Sequence, residues 1–102
     1  MAKLVVLYPQ PTDPDTFERR YRDEHGPMVH EQMPRLRQFT AGRVVDSPMG
    51  AGGYSHMAEL TFDSVDDLRS ALASEEGQRV VAHGLEISTG GPMTVLVVED
   101  NA

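Results

Sequence analysis

Lys3-Leu4-Val5-Val6-Leu7-Tyr8-Pro9-Gln10-Pro11-Thr12-Asp13-Pro14 is the stretch from which the fold can be read. Residues 3–8 form a β-branched apolar run stopped by Pro9, the pattern of a strand with apolar side chains on both faces. Pro-Gln-Pro-Thr breaks the run, and Asp13-Pro14 starts a helix. The Asp13 carboxylate can accept from the free N–H groups of a first turn. Pro14 suits the first helical position, where a missing N–H is no loss. Asp15 and Glu18 complement the positive end of the helix dipole.

Beyond this start, Phe17 and Tyr21 stand four apart and share one helix face, and His25 continues the line. Gly26-Pro27 is expected to interrupt the helix, because proline disfavours helical geometry before it and has no N–H to donate. Met28, Val29 and Met33 suggest a further turn or two before Pro34. Residues 35–46 predict a second strand, with a bulge or bend where the alternation slips at Ala41-Gly42. Ser47-Pro48-Met49-Gly50-Ala51-Gly52-Gly53 predicts a flexible loop.

Residues 54–62 alternate cleanly: Tyr54, His56, Ala58, Leu60 and Phe62 point one way, and Ser55, Met57, Glu59 and Thr61 the other. Asp63 or Ser64 caps a helix with the stripe Val65, Leu68, Ala71, Leu72. Residues 75–83 continue as a helical segment ending near His83-Gly84, and residues 93–98 form the last strand before an acidic tail.

Strands and helices in the order βαββαβ predict an α+β domain spanning residues 1–102, with one four-stranded antiparallel sheet and its helices on one face. Two helices shield one face only. Strands 3–8 and 93–98 are apolar on both, so a single copy would leave Leu and Val side chains in water. A two-fold homodimer that packs the bare sheets together removes that exposure and can enclose a ligand pocket.

The net charge of −7 is uneven. Residues 1–46 carry seven basic and seven acidic side chains, and residues 47–102 carry two and nine. Neither nucleic acid nor an anionic membrane is expected as a partner, since both need a basic surface. With no cysteine, disulfides, thiolate catalysis and cysteine-held metal sites are excluded. No signal segment or run of about 20 apolar residues is present, so a cytoplasmic location is expected.

Leu7-Tyr8-Pro9, Asp13-Pro14, Phe17, Tyr21, His25, Pro27 and Pro34, followed by Ala58-Glu59-Leu60 and Phe62-Asp63-Ser64, resemble an EthD domain of the dimeric α+β-barrel superfamily. The most specific element is Phe-x3-Tyr-x3-His-x-Pro, from Phe17 to Pro27. The resemblance implies a ferredoxin-like monomer in a dimer with a shared or partly closed barrel. Relatives in the superfamily include cofactor-independent monooxygenases, isomerases, polyketide cyclases and haem-binding proteins. Gly50-Ala51-Gly52-Gly53 lacks the GxGxxG spacing and precedes a strand, so no nucleotide fingerprint is present.

Spacing and family pattern make His25 the first candidate for catalysis, as a near-neutral group able to exchange protons with a substrate. Its alternative is to cap the break before Gly26. Tyr21 either orients His25 or bonds a substrate oxygen, or packs as core. Tyr8 at a strand end, and Phe17 on the helix face of Tyr21, are candidates for substrate contact. His56 joins the site if its face meets the barrel and is peripheral core otherwise. Glu59 is a general base or half of an ion pair with Arg35, Arg37 or Arg43. His83 is expected at a helix C-terminus, and His30 in solvent.

His25 and His30 are five apart, and no HxxxH or HExxH occurs, so no metal site and no cofactor are expected. The sequence therefore predicts an EthD-like enzyme acting on a small hydrophobic organic molecule by His-based acid/base chemistry. Its alternative is a non-catalytic dimer that binds such a molecule.

Overall fold

The computed structural model describes residues 1–50 and 52–100; Ala51 of the glycine-rich loop and the last two residues of the acidic tail lie outside it. Four strands, β1 (Ala2–Pro9), β2 (Gln38–Arg43), β3 (Tyr54–Phe62) and β4 (Thr94–Glu99), make one antiparallel sheet in the order β2-β3-β1-β4. The helices pack on one face of it, giving the ferredoxin-like α+β fold expected. The apolar strand at the start of the chain is central, flanked by β3 and β4.

Period-two alternation sorts β1. Ala2, Leu4, Val6 and Tyr8 are buried under the helices, while Lys3, Val5 and Leu7 take the other face. Their partners follow the register: Leu4 opposes Leu60 and Val97, and Val6 opposes Ala58 and Val95. On the bare face Val5 opposes Glu59 and Leu96, and Leu7 opposes Met57. The slip expected at Ala41-Gly42 is absent, for β2 pairs with β3 without interruption from Gln38 to Arg43. The irregularity lies instead at Tyr8/Pro9, where β1 leaves β3.

α1 (Pro14–Arg20) starts as the sequence indicates: Asp13 accepts from the Thr16 N–H at 3.2 Å. The expected interruption at Gly26-Pro27 does not occur. Residues Tyr21–His25 form a π-helical turn, and α2 (Gly26–Gln32) follows directly. The Gly26 N–H bonds the Tyr21 carbonyl, so the turn is one residue wider. That widening lets the helix pass Pro27, whose ring and missing N–H would break a regular turn.

Ser64 caps α3 (Val65–Ala73), and Ser74 caps α4 (Glu75–Ile87) through the Gly77 N–H. Leu68 and Ala71 are fully buried, as the stripe predicted. α4 runs four residues past His83, so that histidine is not at a helix C-terminus as expected but inside the helix.

Candidate active site

Between the helices and the sheet lies a cavity of about 520 Å³. Its floor is Leu4, Val6, Ala58 and Leu60, and its roof includes Val29 and Val80. Among the described residues, the polar side chains lining it are Tyr8, Tyr21, His25 and Gln78. Three of the six side chains singled out in the sequence therefore meet in one place.

The π-turn brings two of them there. Tyr21 and His25 are its first and last residues, with ring centroids 5.2 Å apart. Tyr8, at the end of the central strand, packs edge-on against Tyr21 at 5.7 Å. The Tyr8 hydroxyl lies 3.5 Å from His25 Nε2, at the outer limit of a hydrogen bond. The Tyr21 hydroxyl is buried near the Tyr8 hydroxyl, and no described residue meets it at full hydrogen-bond geometry. Burial raises the pKa of both phenols, so both keep their protons at neutral pH.

His25 is 5% exposed. Burial, followed by the neighbouring His83, pushes its pKa down to about 4, so the imidazole is neutral at physiological pH. On its far side a chain of contacts leads outward. His25 Nδ1 is 3.0 Å from His83 Nδ1, and the two rings stack with 9° between their planes. His83 Nε2 is 3.1 Å from Glu24 Oε1. Arg20 donates to that carboxylate and to Glu86. Arg20, followed by His83, holds the Glu24 carboxyl at a pKa of about 2, so it is ionised.

The approach of α4 depends on Gly84. A Cβ there would stand 3.1 Å from Met93 Cε and 3.4 Å from His25 Cε1.

The other three candidates do not line the cavity. Phe17 is buried behind it, against Tyr8, Tyr21 and His56. His56 lies on the helix-facing side of β3 but is held by Glu18 at 2.7 Å and by the Ser55 hydroxyl at 2.6 Å. Glu59 faces the opposite side of the sheet. Its partner at 3.1 Å is Lys3 rather than an arginine; Arg35 and Arg37 pair with Asp67 and Asp63. Sequence reasoning missed Glu24 and His83 as site residues. The contact between positions 25 and 83 is long-range and leaves no local pattern; once α4 is extended to Ile87, His83 has a helix interior around it.

Residues 9–86 match the model of the EthD domain. The chain belongs to the EthD family. This EthD domain is 30% identical over 100 residues to an uncharacterised 11.0 kDa protein from the thcB-thcC intergenic region of Rhodococcus erythropolis, covering 98% of this chain and 95% of that one. It superposes on the crystal structure of an EthD family protein from Bacillus halodurans with a TM-score of 0.89 at 31% identity, covering 99% of each chain. A dimeric ferredoxin-like protein of unknown function from Jannaschia sp. CCS1 shares the fold, with a TM-score of 0.72 at 16% identity over 97% of this chain and 98% of that one. The EthD domain thus shares the ferredoxin-like fold of that dimeric protein.

Proposed function

We propose that this EthD domain is an enzyme acting on a small hydrophobic organic molecule held in the cavity, with His25 as general base and Tyr21 as hydrogen-bond donor to a ligand oxygen. The observation that carries the reading is a neutral, buried imidazole set beside a buried phenol that no described residue meets at full hydrogen-bond geometry, in a mostly apolar cavity. A buried hydroxyl without a partner forgoes a hydrogen bond and costs free energy, which a ligand oxygen would recover. A carbonyl suits that donor. A proton on the adjacent carbon would become acidic there, and His25 would remove it. The C–H bond breaks, an N–H bond forms at His25, and the electron pair passes to the carbonyl oxygen facing Tyr21. No nucleotide cofactor is needed for such a step.

The test is α-proton exchange. Wild-type protein in D2O with a panel of hydrophobic aryl ketones should incorporate deuterium next to the carbonyl, read by mass spectrometry. His25→Ala should slow it by roughly 10²–10⁴-fold. Unchanged exchange in a folded His25→Ala protein would refute the assignment.

The reading includes a homodimer. Val5, Leu7, Met57, Leu96 and Val98 share the face without helices, and the last of these is 41% exposed. Such a patch is what a second copy of the same sheet would cover.

A further inference from the structure

We infer that His83 and Glu24 are positioning residues that fix His25 as the Nδ1–H tautomer, leaving Nε2 as the acceptor for the ligand's proton. The inference rests on His25 being the base proposed above, and the geometry assigns each donor in turn. An ionised carboxylate only accepts, so the 3.1 Å contact to Glu24 requires a proton on His83 Nε2. Where His83 carries that proton alone, its Nδ1 is an acceptor. The 3.0 Å contact between the two Nδ1 atoms therefore requires the proton to sit on His25. One proton remains to be placed on neutral His25, and Nδ1 holds it. Nε2 carries the lone pair, 3.5 Å from the Tyr8 hydroxyl.

The same chain gives the captured proton a route. When His25 takes a proton at Nε2, its Nδ1 proton can cross to His83 Nδ1. His25 returns to a neutral state as the opposite tautomer, and the positive charge rests on His83 against the Glu24 carboxylate. Charge thereby leaves the buried ring, where it is disfavoured, for one beside an anion. Arg20, Glu86 and Glu24 are the charged groups around that outer end, and Tyr8 and Tyr21 are the titratable groups around the inner one. Arg20 keeps the carboxylate ionised and shares its Oε1 with His83. The π-turn supplies both ends of the clamp, since Glu24 and His25 are consecutive residues gripping the two nitrogens of one imidazole.

Imidazole nitrogen NMR of the ligand-free protein reads the tautomers directly and needs no substrate. Wild type should show His25 protonated at Nδ1 and His83 at Nε2. His83→Phe preserves a stacked ring but removes the acceptor, and His25 should shift to the Nε2–H form. Glu24→Ala, at a solvent-facing position, should shift at least part of the population the same way. An Nε2–H His25 in wild type overturns the inference, as does an unmoved tautomer in both folded variants. Loss of the exchange assay's dependence on His25 would sink the catalytic reading while leaving the tautomer assignment standing, so the two failures are distinguishable.

Discussion

At the scale of single residues, His25 links the site to the stability of the fold. Its pKa falls from 6.5 to about 4 on folding, so the unfolded chain takes up a proton in this window while the folded one resists. Stability should therefore drop by about 3 kcal/mol as pH falls from 6.5 to 4, measured as a declining urea midpoint. In His25→Phe that part of the slope should vanish. Tyr21→Phe should behave in the opposite way to most core changes. It deletes a hydroxyl that no described residue meets at full hydrogen-bond geometry, so thermal unfolding should move up slightly or stay put while ketone exchange weakens. A Tyr21→Phe protein that is clearly less stable would mean that the hydroxyl has a partner in solution. His25, Tyr21 and Tyr8 were legible in the sequence because helical spacing and a strand end place them. Phe17 and His56 were legible as neighbours of the site but not as members of it: strand parity gives the face of His56, whereas its capture by Glu18 depends on three-dimensional placement.

At the scale of elements, two glycines in α4 separate packing from chemistry. A Cβ at Gly77 would lie 1.9 Å from the Ala71 carbonyl oxygen, which belongs to the backbone of α3 and cannot move aside. Gly77→Ala should cost more than 2 kcal/mol by chemical denaturation despite the better helix propensity of alanine, which is worth only about 1 kcal/mol. At Gly84 the nearest atoms are the flexible end of Met93 and the His25 ring. Gly84→Ala should be near neutral in stability, with the propensity gain offsetting the squeeze on Met93, yet set a methyl against the His25 ring, visible as shifted imidazole resonances. Most element starts were legible, since Asp13-Pro14 and Ser64 are local chemistry. The passage through Pro27 was not. A proline that ends a regular helix does not reveal that a wider turn can carry the chain past it.

At the scale of the whole molecule, the imbalance read from the first strand persists. The structure is a slab 33 × 31 × 18 Å, helices on one side and bare sheet on the other. Even on the helix side Val95 and Val97 are 43% and 46% exposed, beside Leu85. Sedimentation at micromolar concentration should give twice the chain mass. Leu96→Lys puts a charge in the bare face without touching the core and should give the monomer. A wild-type monomer at high concentration would reject the paired-sheet arrangement. Monomer fold was predictable because every strand and helix carries its own pattern. The shape of the cavity was not, because it depends on how far α4 runs and where Gly84 lets it settle.

The five residues Tyr21–His25 act as a phase shifter. Upstream, Phe17 is anchored under the sheet; downstream, Val29 and Met33 are anchored in the same core. In an unbroken α-helix the twelve steps from Phe17 to Val29 would leave the two about 120° apart. The wider turn takes up one residue, so both reach the same core. The imidazole between them is thus held in rotation from two directions, and its aim should tolerate many surface substitutions.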